Sequence, residues 1–254
     1  MKNIIATTVA AGVVAAWVGT AFAEVGVTAD FASAYVFRGA TFNDGFVVQP
    51  GIEASGLGLP EAYGSVAVGA WGNFDVDDYG GTLAGSEFSE IDWYASYSLP
   101  SLVDGLDLFV GFTEYTYMDP TGAGGIPADK EAHVGLGYEV AGIALGATAY
   151  LGTGGGINGN AYYDLSVAYA YAVSEELELS VGALVGYFDP DAGTSGWNDG
   201  VFDLAASYAL GEVWSVGASA AYIAQLDDDV LVDVGKGGAY DVDFVGMLSL
   251  GAAF

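Results

Sequence analysis

The sequence predicts an all-β chain folded as an antiparallel transmembrane up-and-down β-barrel of about 12 strands. Three observations carry that expectation. Apolar and polar residues alternate with period two from residue 24 onward, connections alternate between long and short, and the chain ends on an aromatic residue, Phe254.

The first element is not part of the barrel. Residues 1–23 combine the basic Lys2, an apolar stretch of secretory length and Ala21-Phe22-Ala23 ahead of Glu24, which together read as a cleavable signal peptide. The barrel is then expected over 24–254. Removing Lys2 leaves three basic residues against 33 acidic ones, a formal charge of −30. That balance excludes nucleic acid as a partner, because phosphate binding needs a basic surface. The 17 Tyr, 13 Phe and 5 Trp argue against a disordered acidic chain. There is no cysteine, so an exported fold has to close without disulfides. No later segment offers the roughly 18 uninterrupted apolar residues of a transmembrane helix, which leaves a barrel as the route across a membrane.

Strands are expected over 24–39, 46–56, 62–74, 87–99, 104–118, 131–140, 142–152, 161–173, 177–189, 200–210, 213–226 and 239–254. In the first, Val25, Val27, Ala29, Phe31, Tyr35 and Phe37 share one face, while Thr28, Asp30, Ala34 and Arg38 share the other. Later strands repeat the split, with Leu106, Leu108, Val110 and Phe112 on one apolar face and Leu177, Leu179, Val181 and Val185 on another. The odd-numbered connections, such as 75–86, 119–129 and 227–238, are long and rich in Gly and Asp. The even-numbered ones are mostly short, as outer-membrane barrels require of their two ends. The last strand places Val242, Phe244, Leu248, Leu250 and Phe254 on one face. A terminal phenylalanine in this register looks like the signal read by the barrel-assembly machinery of Gram-negative outer membranes. A soluble secreted sandwich would also alternate, but its outward faces would not be so uniformly apolar.

If the apolar faces meet outer-membrane lipids, the opposite faces line the interior. By parity these carry Asp30, Arg38, Glu53, Glu90, Asp92, Asp107, Glu131, His133, Glu139, Asp164, Glu178, Asp203, Asp241 and Asp243. Such a carboxylate-rich lining favours small cations in a water-filled path and repels anions. The same residues could instead form a polar core that plugs a small barrel, and parity does not separate the two.

Arg38 stands out in a chain with four Lys and Arg. Its expected partners come from other strands, with Gln49, Glu53, Glu90 and Asp92 as candidates, since a guanidinium bridges two carboxylates readily. No catalytic constellation is present. There is no GxSxG and only one histidine, His133, on the interior face. The Glu90 and Asp92 pair has glycosidase-like spacing but reads as pore wall. The acidic stretches 75–78, 189–199 and 227–229 lack EF-hand spacing and read as solvated loops, so neither a metal nor another cofactor is expected. The glycine-rich stretch 152–160 has no following helix to bind phosphate.

The stretches DFASAYVFRGATFNDGFVVQPGIEAS, YGSVAVGAWGN, SEIDWYASY and EAHVGLGYEV resemble the TorF-type porin family. Its pattern of S-x-Y-x-F/Y-R-G, Q-x-G, G-x-W-G/A-S/N and E-x-D-x-Y is matched here by Ser33, Tyr35, Arg38, Gly39, Gln49, Gly51, Trp71, Glu90, Asp92, Tyr94 and Glu131. The likeness runs along most of the chain and is best over its first hundred residues. It implies an outer-membrane channel for small solutes or ions, with Gln49, Trp71 and Tyr94 joining the acidic residues on the pore wall. The chain departs from the family in its acidity and in its long eleventh connection. A non-conducting structural or adhesive outer-membrane barrel, whose acidic loops bind divalent cations or neighbouring surface polymers, is the alternative.

Overall fold

The computed structural model describes residues 24–57, 61–77, 86–101, 103–118 and 128–254. The expected signal peptide, and most of the connections at 75–86 and 119–129, lie outside the described residues. Among the described residues there are fourteen strands: β1 Glu24–Ala32, β2 Tyr35–Phe37, β3 Ala40–Asn43, β4 Val47–Ser55, β5 Ser65–Asp75, β6 Glu87–Ser98, β7 Leu106–Tyr117, β8 Ala128–Val140, β9 Ile143–Gly154, β10 Ala161–Ala172, β11 Leu177–Asp189, β12 Gly196–Leu210, β13 Trp214–Gln225 and β14 Phe244–Ala253.

Twelve of them form one closed antiparallel barrel in which sequence neighbours pair and β1 closes on β14, with Gly26 opposite Ala253 and Ala32 opposite Met247. Closure pairs both edges, which is the condition for a sheet to sit in hydrocarbon with its backbone satisfied. Among the described residues no helix is long and apolar enough to cross a membrane.

The alternation becomes two faces. Phe31, Ile52, Val110, Phe112, Leu165, Leu179, Val185, Leu204 and Leu248 are exposed on the outside. Aromatic residues border this aliphatic band at both ends. At the long-connection end Tyr163, Tyr187 and Trp197 lie side by side across β10, β11 and β12, and Phe202, Tyr222 and Phe244 continue the row. At the other end stand Tyr138, Tyr171, Tyr208 and Trp214, all exposed. Tyr163 and Tyr171 are roughly 26 Å apart along β10 at about 3.3 Å per residue, and less once the strand tilts. That matches an apolar band of about 25 Å between aromatic girdles.

The first expected strand is corrected. The chain leaves the barrel wall after Ala32, and β2 and β3 form a separate two-stranded hairpin folded into the barrel. Tyr35 therefore does not meet lipid but is buried at 3% exposure inside. The last strand also starts later than expected. It begins at Phe244, so Asp241 and Asp243 belong to the preceding connection, and Val242 packs against interior residues rather than facing outward.

The hydrophobic core lies inside the barrel. Tyr35 and Val36 of the hairpin pack with Val47, Leu184, Val201, Ala221, Ile223 and Val245, which are inward residues of β4, β11, β12, β13 and β14. The connection between β13 and β14 folds over the hairpin. Thr41 donates its backbone N–H to the Ala239 carbonyl at 2.7 Å, and its hydroxyl accepts from the Asp241 and Val242 backbone.

Candidate functional site

The hairpin turn is the two-residue pair Arg38-Gly39, with φ of 50° and 77° and Phe37 paired to Ala40. Two successive positive φ values are those of a type I′ turn, the connection whose twist suits a tight hairpin. Glycine adopts this backbone freely, whereas an arginine does so at a cost of about 1–3 kcal/mol. Arg38 is held there by what its side chain reaches.

Its guanidinium crosses the interior to Glu131 on β8, with Nη1 and Nη2 donating to the two carboxylate oxygens at 2.7 and 2.9 Å. The Tyr115 hydroxyl donates to the same carboxylate at 2.9 Å. Three rings surround the cation, with Tyr150 at 4.3 Å, Tyr162 at 4.4 Å and Phe37 at 4.6 Å from its central carbon. Tyr162 is fixed in turn by donating to Asp199 at 2.9 Å, and Asn198 donates to the Arg38 carbonyl at 2.7 Å. The partners expected for Arg38 were Gln49, Glu53, Glu90 and Asp92. They differ because those four suit an arginine on the wall of β1, whereas the hairpin carries Arg38 across to β8.

A second attachment holds the base of the hairpin. The Tyr35 hydroxyl donates to Glu90 on β6 at 2.8 Å, and its ring packs on Trp71 at 5.4 Å. Glu90 is 3% exposed and is in hydrogen-bond contact with Asp92. Gln49 donates to Asn73 at 3.0 Å, and Asn73 and Asn43 both donate to Asp75, at 2.8 and 2.6 Å. A polar network thus ties β3, β4 and β5 together beneath the hairpin.

The remaining predicted residues lie apart from this centre. Asp30 is opposite Ser249 and hydrogen-bonded to it. Tyr94 donates to Glu53 at 3.2 Å, its ring lying over Gly69. Asp107 is exposed near the short-turn end of β7. Asp164 is buried near the Arg38 cage. His133 lies over Gly111, where a Cβ would fall 2.3 Å from Nε2, and its ring sits between Phe109 and Tyr150. Those contacts make it a space-filling residue of the wall.

Burial grades along the barrel. On the inner face of β10, Tyr162 and Asp164 are buried, Ser166, Ala168 and Ala170 half-buried and Ala172 exposed; on β12 the series Asp199, Val201, Asp203, Ala205, Ser207 runs the same way. The hairpin lies in the long-connection half, and toward the short-turn end the inner faces of β10 and β12 carry small, more accessible residues. Two buried atoms in this wall have no hydrogen-bond partner, Asp203 Oδ1 and Ser219 Oγ.

Sequence reasoning missed Tyr115, Tyr150, Tyr162, Asn198 and Asp199. It also missed the hairpin, whose signal was Arg-Gly between two short strand-forming runs, AYVF and ATFN.

No protein-family model matches the chain, and no curated protein does. Several solved structures share its fold. It is similar to an outer-membrane channel from Pseudomonas putida F1 at 13% identity and a TM-score of 0.55, covering 91% of this chain and 95% of that one. It is similar to the NanC porin at 10% identity and a TM-score of 0.50, covering 91% and 98%. It is also similar to outer-membrane phospholipase A from Escherichia coli at 13% identity and a TM-score of 0.50, covering 92% of each chain. At these identities the likeness establishes the outer-membrane barrel fold. Because a porin and a phospholipase share it equally, function has to be argued from the interior.

Proposed function

We propose that this chain is an outer-membrane channel of the TorF-type porin group that passes small solutes or ions and prefers cations. The observation that carries the reading is the charge of the interior. Asp30, Glu53, Glu90, Asp92, Asp107, Glu131, Asp164 and Asp203 face inward against a single arginine, Arg38. In a water-filled path bounded by a low-dielectric wall, such a lining raises the local cation concentration. The aromatic girdles and the aliphatic band support residence in the outer membrane, with export through the signal peptide and insertion through the strand ending at Phe254. The hairpin makes the long-connection half a closed gate, and conduction requires it to yield. Bilayer recordings of the refolded protein test this: a reversal potential showing cation preference is expected, and anion preference or the absence of conductance at any voltage would refute it.

One observation favours a second reading. The apolar packing of Val36 on Leu184, Val201 and Val245 is the kind that stabilises a permanent plug. A structural barrel would conduct only once residues 35–43 are replaced by a short glycine linker, whereas a channel conducts with the hairpin sequence intact.

A further inference from the structure

The cage around Arg38 is built almost entirely by the barrel wall. Glu131 supplies two oxygens to the two terminal nitrogens of the guanidinium, Tyr115 donates to that carboxylate, and the Tyr150 and Tyr162 rings lie against the cation from β9 and β10. The hairpin contributes only the occupant and Phe37. A carboxylate that accepts two parallel N–H bonds, beside the adjacent Tyr150 and Tyr162 rings whose centroids are 6.1 Å apart, recognises a flat, forked cation; it does not suit an ammonium group, which lacks both the fork and the plane. Arg38 also occupies the site from a backbone of φ 50°, a conformation in which glycine would be the relaxed choice.

We propose that the β7–β10 wall carries a binding site for solutes bearing a guanidinium group, that Arg38 fills it as an internal stand-in, and that such a solute releases the hairpin tip by displacing Arg38. The binding part stands on the cage alone, while the opening part rests on the channel reading. Displacement is a competition with a tethered group whose effective concentration is about millimolar or higher, so the external solute has to exceed that range. The attachment of Tyr35 to Glu90 lies at the base of the hairpin and is not touched by this exchange, so the hairpin would pivot at its base rather than unfold.

The test uses the full refolded chain and two small salts, methylguanidinium chloride and methylammonium chloride, at equal ionic strength. Arg38→Gly empties the cage and suits the turn backbone. Methylguanidinium is expected to raise the melting temperature of this variant by about 2–4 °C. Methylammonium is expected not to, and the effect should vanish in Arg38→Gly/Glu131→Gln. Equal effects of the two salts, or an effect that survives in the double variant, would overturn the site. Should Arg38→Gly not fold, hydrogen exchange of residues 35–43 in the unaltered protein decides. At about 0.1 M, well above the tethered competitor's range, methylguanidinium should speed exchange there and methylammonium should not; equal rates would overturn the proposal. Current recorded in parallel separates the two ideas: thermal rescue without conductance in any variant keeps the guanidinium site and refutes the channel.

Discussion

Arg38 and Glu131, 93 positions apart in sequence, meet across the barrel interior in two parallel hydrogen bonds of 2.7 and 2.9 Å. Their side chains are 19% and 4% exposed, so the pair is largely shielded from water. Removing one partner leaves the other charge buried, which is the expensive way to break such a pair. Arg38→Lys keeps the charge but loses the fork, and is expected to destabilise by about 1.5–3 kcal/mol. Urea melts of Arg38→Lys, Glu131→Gln and the double variant check this. Strictly additive effects would mean that the two residues are not coupled.

Tyr35→Phe removes only the hydroxyl that Glu90 accepts, and leaves the ring on Trp71 and Phe42. Glu90 is buried, so the loss is expected to be about 1–3 kcal/mol. The effect should be local, as faster hydrogen exchange over residues 33–46 with little change in the outer strands. Uniform acceleration around the whole barrel would contradict a local latch.

Gly69 is required by close approach. A Cβ there would lie 2.2 Å from the Tyr94 hydroxyl and 2.6 Å from the Ile52 carbonyl oxygen. The ring can swing away, at the loss of its bond to Glu53, but the carbonyl belongs to the neighbouring strand. Gly69→Ala is expected to cost about 1–3 kcal/mol or more. Gly69→Ala/Tyr94→Ala should recover only part of it. Folding yield, read as heat-modifiable migration on gels, is the measurement, and full recovery would locate the clash in the ring alone.

Glu53 and Asp107 line the half of the interior below the hairpin. Glu53→Gln/Asp107→Asn is expected to lower cation preference in the reversal potential without altering the melting temperature. The preference of the unaltered protein should weaken between 0.1 M and 1 M salt, as screening shortens from about 10 Å to about 3 Å. Selectivity indifferent to both changes would remove these residues from the conduction path.

Lys236, in the connection over the hairpin, is paired with Asp233 at 3.0 Å and Asp228 at 3.2 Å. Hydrogen bonds to the two carboxylates hold its pKa above the ordinary 10.5. Since the folded value is raised, the stabilisation is full below the unfolded pKa and is lost as pH rises through the folded one. An NMR signal from labelled Lys236 should titrate above about 10.5. A midpoint at or below that value would mean that the ion pairs do not persist in solution.

The barrel was legible because its determinants are local. Alternation over ten to fifteen residues reports which face of a strand meets an apolar solvent, and connection length reports which end of the barrel it crosses. Val110 and Phe112, or Leu179 and Val185, needed no partner to be read correctly. The interior residues Glu90, Glu131 and Asp164 were legible as inward-facing for the same reason. The hairpin was not, because Tyr35 and Phe37 keep the odd-numbered register of Val27, Ala29 and Phe31 on the far side of Ser33. The same period fits a strand in the wall and a strand folded inside it, and only a change of environment separates them.

By itself the sequence determined the faces, the twelve-strand count and the acidity of the interior, because each follows from residue type and spacing along one strand. Tertiary structure alone decided that Arg38 leaves the wall, that Glu131 receives it beside Tyr150 and Tyr162, and that the hairpin lies inside the barrel. Those contacts join residues on strands far apart in the chain, and no spacing within a strand records which side chains will face each other across a barrel.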